Sequence, residues 1–600
     1  MTNHQSTTEN RAKWLPLLFS TSVAALFLSF ALSLIAEGHV GSSGVIVQKQ
    51  VGKYQLLVSI QPPDVVPGTA KVTVFVEKGR VSGIGARPIF FRSGDKGAPM
   101  HDELVRSAAG QFEGDLWLMD AGSSSIELMI NGPDGRQRVV VPVMSVATAL
   151  RDMPESTGIG LALMGLLLVV MMITIIGASN ADGIVKPGQT SPSGLGRRRW
   201  VGMGVGAVVL TLMLTGWRFW WDSSAEQYRT VQLYRPLRMD ASVGSSAGSA
   251  GLVSQSQLTI QIDTTGFGGG AATGRRRRST PQQRRLVSFV IPDHGKLMHT
   301  FLVRLPGLDA FAHLHPNRRD SLTYQAALPP LPAGKYLLYS DIVFRSGYAE
   351  TMTDTVDITG STSAVDQIVV LPSDRDDSWL ITNPMGVKAG SANVPHLDND
   401  MVVCGKPGAS TKLADGSSML WMDKPGESTA PAGVRPSDRP GAVLESGKLY
   451  TLKFAVADAL GKAAALEPYL GMSGHAVILR SDGSVYIHLH PVGTYSMAAE
   501  GSFVGRLADT ARTFQYPDAN QFRDSIDRYV TRLRILPEAE KNRLLSAAMP
   551  EMSHKMASNN MVEFPYAFPR AGHYRIWVQV KRNGQVLTGV FDTQVNEPIL

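Results

Sequence analysis

Thirteen histidines are spread over 600 residues, and six of them fall into two matching blocks. KLMHTFLVRLPGLDAFAHLHP over 296–316 and GMSGHAVILRSDGSVYIHLHP over 471–491 each set a lone histidine ahead of a His-x-His-Pro. Neutral imidazole is a ligand for zinc, copper, iron and nickel, so the chemistry these residues could do is metal binding. Each block reads as strand, turn and strand, a β-hairpin. Asp482-Gly483 is a favoured two-residue turn, and pairing outward from it sets Val477 against His488 and His475 against His490. The longer loop Leu305 to Asp309 gives the same register, with His299 opposite His315 and Phe301 opposite His313. Side chains alternate faces along a strand, so each trio projects to one side with neighbouring Cβ atoms roughly 5 Å apart. The same faces carry Val477, Leu479 and Tyr486, or Phe301, Val303 and Phe311, and these would equally suit a structural, hydrogen-bonded histidine cluster. Such a cluster needs a partner for every ring N–H and suffers charge repulsion at low pH, so metal is the expected reading.

Thioether sulfur would add softness. Met472, Met497 and the segment AMPEMSHKMASNNM, with Met552, His554 and Met556, are the candidates. A mixed imidazole and thioether set favours copper, with zinc possible. The expected metal ligands are therefore His475, His488, His490, His299, His313, His315, Met472, Met497, Met552, His554 and Met556. His294, His396 and His573 are expected to be ordinary core or edge histidines. Asp341, which aligns with Gln579 of the second copy, could orient an imidazole as a neighbouring carboxylate, but a solvated role is favoured. The single Cys404 excludes a disulfide framework and Cys-rich zinc or iron–sulfur sites within one chain. No serine or cysteine nucleophile motif is present, and an enzyme is not the favoured expectation.

Three apolar stretches set the frame: 14–36, 156–181 and 200–221, each near the roughly 20 residues that a bilayer-spanning helix needs. Arg11 and Lys13 precede the first, and Lys186 with Arg197 to Arg199 lies between the second and third. Positive charge on the cytoplasmic side then places residues 1–13 and the loop 182–199 in the cytoplasm and everything else outside it. The first stretch is expected to be an uncleaved anchor, a cleaved signal peptide being the alternative. Net charge is +7, but the arginines cluster at 196–200 and 274–285 without aromatic interleaving, which gives no nucleic-acid groove.

Short alternating runs bounded by Gly, Pro and Asp predict a mainly β protein of immunoglobulin-like β-sandwich domains outside the cytoplasm, three transmembrane helices and a small helical insertion. The expected units are a first sandwich over 40–148, a Ser/Gly-rich linker over 222–256, a second sandwich over 257–360, an irregular connection over 361–440, and a third sandwich over 441–600 with a helical insertion at 505–560. Residues 332–358 align with 570–595, so the second and third sandwiches are duplicates.

At LEPYLGMSGHAVILRSDGSVYIHLHP and FPYAFPRAGHYRIWVQVKRNGQVLTGVFDTQV the chain resembles a group of bacterial membrane-anchored proteins whose modules are similar to YtkA-like and FixH-like domains, relatives in shape of CopC-type copper proteins. That resemblance implies an extracytoplasmic sandwich concerned with copper handling or oxidase assembly. The function expected is capture or delivery of a metal ion at a bacterial inner membrane. Its partners would be the lipid bilayer and a metal-donor or metal-acceptor protein. The alternative is an accessory or assembly subunit of a respiratory-type membrane complex with structural histidines, and a copper-dependent oxidoreductase is the least favoured.

Overall fold

A computed structural model describes residues 44–598 except 109, 151–152, 183–187, 189, 191–192, 232, 235, 247–254, 265–286, 360–373, 387–407, 423–443, 512 and 548–559. The expected span at 14–36 lies outside the described residues. So do Met552, His554, Met556 and His396.

The first β unit is a two-sheet sandwich. One sheet runs Val45–Val51, Tyr54–Gln61, Gly68–Lys78, Phe112–Leu118 and Val105–Arg106; the other runs Asp102–Glu103, Gly83–Phe90, Gly122–Asn131 and Gln137–Ser145. Alternate residues of the facing strands, such as Val58, Val72, Ile126, Leu128 and Val141, form its core.

Two long helices follow, α1 (Glu155–Asp182) and α2 (Leu195–Val231). Both contain stretches long and apolar enough to cross a membrane, with their apolar side chains facing outward. They approach closely at glycines: a Cβ on Gly177 would lie 2.5 Å from Met203, and one on Gly202 2.5 Å from Asn180. Gly202 and Gly206 lie four residues apart, the small-residue spacing that lets membrane helices touch. α2 is longer than the expected 200–221, because Arg197 to Arg199 form its first turns and the aromatic run at 217–221 lies inside it. After α2, Leu233 bridges Ala147, and the Tyr234 amide donates to the Ala147 carbonyl at 2.7 Å. The chain therefore returns to where it left the first unit, and all three β units lie at one end of the helical pair.

The second unit is a ten-stranded sheet folded around one core. Its first strand, Arg238–Ser246, overturns the expected linker. This strand pairs along its whole length with Gln255–Asp263, burying Met239 while Asp240, Ser242 and Gly244 face solvent. Pairing and alternation outweigh the turn-prone composition. The connection over 361–440 is likewise not irregular throughout. Ser378–Ile381 adds an edge strand beside Ala310–Leu314, while Ser410–Lys412 and Ser418–Trp421 join the third unit. Strands this short show no readable period.

The third unit pairs two sheets. One contains Leu444–Glu445, Gln585–Asn596, Gly572–Arg582, His475–Arg480 and Tyr486–Leu489; the other contains Ser410–Lys412, Ser418–Trp421, Leu449–Ala457 and Met561–Ala567. Its insertion forms three helices, α3 (Met497–Ala508), α4 (Ala519–Ile535) and α5 (Glu538–Ala547). α4 lies within the expected insertion at 505–560, its first amides capped by Asp518. α3 starts at Met497, before the expected beginning of the insertion at 505. Phe503 of α3 packs on Phe91 of the first unit, and the Arg506 guanidinium donates to the Phe91 carbonyl at 2.8 Å. Val530 of α4 joins the core of the second unit. The insertion thus clamps all three units together.

Candidate metal centre

Both hairpins form in the expected register, with Phe301 opposite His313 and Val477 opposite His488. Their histidine-bearing faces turn toward each other. Phe301, Val303, Phe311, Val477, Leu479, Tyr486 and Trp577 make one apolar core between the second and third units. Two stacks cross it: Phe311 on Trp577, centroids 4.9 Å apart, and Tyr339 on Tyr486 at 4.0 Å. Phe311 and Tyr486 hold equivalent positions in the two copies, as do Tyr339 and Trp577, so each stack is the other's counterpart. Apolar burial along this seam brings the two trios into one buried cluster.

His299, His313 and His315 present ligand atoms within 4.8 Å of one another, and so do His294, His475 and His490. His488 sits between the groups. Its ring centroid lies 4.7 Å from His490, 5.4 Å from His475, 5.2 Å from His299 and 5.8 Å from His313. His294 corrects the expectation of an ordinary core histidine. It stands at the tip of a two-residue turn between Asp293 and Lys296 with φ +51°, and the turn swings its ring to within 4.8 Å of His490. The second copy has the same turn between Tyr469 and Met472, but Leu470 occupies the tip with φ +52°.

Acceptor-only partners fix several tautomers. His313 Nδ1 donates to Gln579 Oε1 at 2.8 Å, His315 Nδ1 to Asp377 Oδ1 at 2.8 Å, and His490 Nδ1 to the Tyr495 carbonyl at 3.0 Å. Each therefore keeps a lone pair on Nε2. His299 Nε2 donates to the Asp293 carbonyl at 3.3 Å, which leaves its lone pair on Nδ1. That Nδ1 lies 3.2 Å from His313 Nε2, within hydrogen-bond reach. Nε2 of His294, His315, His488 and His490, and both ring nitrogens of His475, are buried without a hydrogen-bond partner. Buried polar groups in that state are costly, and imidazoles placed this way could hold a metal ion. Burial first, then the neighbouring imidazoles, hold His299, His313 and His475 well below the usual histidine pKa; burial and His488 do the same for His490. These rings are neutral at neutral pH.

Carboxylates surround the cluster. Asp341 approaches His488 Nδ1 at 3.4 Å and accepts from Thr351 and Tyr486 at 2.6 and 3.0 Å, so its expected solvated role gives way to a place beside the imidazoles. Asp341 and Gln579 are equivalent, opposite His299 and His475, and each serves the middle histidine of the other copy. Behind His315, Asp374 and Asp377 come from the segment 361–440, where the sequence shows no chemistry. Asp376 receives Lys296, Lys541 and Lys581 at 2.9, 3.0 and 3.2 Å. Burial opposes its charge, but the lysines prevail and hold its carboxyl well below the usual range.

Of the sulfur candidates, Met472 is fully buried at the turn equivalent to Lys296, and Met497 packs on the core of the first unit. Among the described residues, the groups placed so that they could hold an ion are imidazoles, with the carboxylates of Asp374 and Asp377 beside His315. A cavity of about 380 Å³ lined by Lys49, Arg138, Glu500 and Leu507 lies between the first unit and α3, with no histidine in its wall.

A family model described as a domain of unknown function, DUF8832, matches residues 437–516, which contain the whole second hairpin and α3. No curated protein matches the chain. Among solved structures, the chain is similar to a tetra-tandem repeat from the extending region of a large adhesion protein at 7% identity and TM-score 0.14, over 91% of this chain and 75% of that one. It is similar to the chicken CNTN1 FN1-FN3 domains at 6% identity and TM-score 0.12, over 93% and 100%. At these scores neither likeness bears on function.

Proposed function

We propose that this protein is a membrane-anchored, extracytoplasmic metal-binding protein whose ions are held in a closed centre between its two duplicated sandwiches. The observation that carries this reading is the set of buried ring nitrogens without partners, converging from both copies. Copper is the favoured occupant. An imidazole set binds copper(II) more tightly than zinc by the Irving–Williams order, and this replaces the thioether argument. The placement outside the cytoplasm, at a bacterial inner membrane, rests on the basic residues at 197–199 at the far end of the helical pair from the β units. Full burial favours a resident ion, and capture or delivery would require the two sandwiches to part.

The stacked aromatics along the seam favour a second reading, in which the histidines only pack and the chain is an accessory subunit of a membrane complex. Copper loading of the full chain, purified without a histidine tag, separates the two. The metal reading expects retained copper after desalting and a raised Tm, since an ion that binds only the folded state stabilises it. Neither retention nor a Tm shift would leave the packing reading.

A further inference from the structure

We infer that the centre is dinuclear: one ion held by His299, His313 and His315, a second by His294, His475 and His490, with His488 completing either. This rests on the metal reading above and extends it. A four-coordinate ion uses at most four of the seven imidazoles. The two trios are each closed within 4.8 Å, and the partnerless nitrogens are shared between them: His315 in the first, His294, His475 and His490 in the second, and His488 between. One ion in either trio leaves buried nitrogens of the other unsatisfied, so single occupancy does not remove what makes the cluster costly. In the first trio, His299 Nδ1 and His313 Nε2 lie 3.2 Å apart beside His315 Nε2, which has no hydrogen bond, so one ion could reach all three rings. His475, with neither ring nitrogen bonded, calls for one in the second.

The two halves are unequal. The first is backed by Asp377 through His315, the second by the Tyr495 carbonyl through His490. Asp341 stands against His488 Nδ1, so this ring offers only Nε2 and adds a fourth imidazole to one ion at a time. His294 is the residue that makes the second half complete, and the Leu470 turn of the other copy shows that the same backbone accepts leucine at that place.

The test uses the full chain in detergent, without a histidine tag, stripped by chelator, loaded with copper(II), desalted, and analysed by elemental analysis and EPR. The expected result is about two copper ions per chain with spin–spin coupling in the EPR spectrum. His294→Leu and His315→Leu should each retain about one ion and give an uncoupled spectrum. His475→Gln, which keeps volume and polarity, should match His294→Leu and covers the case in which one leucine variant fails to fold. One ion in the unaltered chain, or no change in stoichiometry in folded His294→Leu and His475→Gln, overturns the dinuclear assignment while leaving the metal reading. No retained copper in the unaltered chain overturns both.

Discussion

The two duplicated sandwiches build the same hairpin from nearly the same residues, yet they differ where the cluster meets the rest of the molecule. His299, His313 and His315 correspond to His475, His488 and His490, and the stacking pairs across the seam are also counterparts. Because equivalent residues reach across to each other, the seam has the self-complementary character of a two-fold interface, contained in one chain. The differences fall at the second copy's Leu470 against His294, Gln579 against Asp341, Met472 against Lys296, and Arg575 against Leu337. Duplication supplied the cluster by setting two like faces together. The differences then gave one half a carboxylate and lysine network and the other a borrowed histidine.

The largest expected effect lies in that network. Asp376→Ala leaves Lys296, Lys541 and Lys581 around a missing carboxylate and should cost about 3–5 kcal/mol in denaturant unfolding. A cost under 1 kcal/mol, roughly that of a surface pair, would show that the network does not tie α5 to the cluster. Next is Arg575, fully buried, which donates to the Leu308 and Asn383 carbonyls at 2.8 and 2.9 Å and pairs with Asp592 at 2.6 Å. Arg575→Leu, which installs the first copy's residue, should lower stability by about 3 kcal/mol and expose the seam to protease. Unchanged cleavage would mean that stacking alone holds the copies together.

The joint with the two long apolar helices offers a pH test. Glu350 of the first copy is buried where the second copy has Leu587, and it accepts from Tyr234 at 2.7 Å and from the Leu237 amide at 3.0 Å. Burial raises its pKa to about 7, with Tyr234, Leu237 and Tyr348 acting against the shift. A raised folded-state pKa gives stability that is present below the unfolded value of about 4.5 and lost as pH rises through 7. Its contribution should therefore decline by up to about 3 kcal/mol over that window, and Glu350→Gln should flatten the decline in thermal melts. An identical slope in both proteins would remove Glu350 from the account. The smallest effect is sought at the exchanged partners. Asp341→Asn and Gln579→Leu should each weaken copper retention by about 10–100-fold in chelator competition, and unchanged retention would deny these residues a part in orienting His488 and His313.

Much of this was legible in the sequence, because the side-chain period of two and the Asp482-Gly483 turn dictate which histidines share a face. The spans at 156–181 and 200–221 were legible from their uninterrupted apolar length, and the helical insertion within 505–560 from its 3.6-residue period. What no local pattern contains is that the two faces meet. Phe301, Phe311, Tyr486 and Trp577 read equally well as the buried side of separate sandwiches, and only the packing between units joins them. His294 was missed because a lone histidine in a turn carries no period; its signal lay in aligning Asp293-His294-Gly295 with Tyr469-Leu470-Gly471. Asp374 and Asp377 were missed because they lie in the turn leading into Ser378–Ile381, a strand too short to be read before its neighbour Ala310–Leu314 is in place.

Diffraction from copper-loaded crystals of the full chain, recorded on both sides of the copper absorption edge, tests the central claim most directly. The account predicts anomalous density among His299, His313, His315, His294, His475, His488 and His490, with ring nitrogens about 2.0–2.1 Å away. Density elsewhere, or an ordered cluster with no anomalous signal between its imidazoles, would contradict it.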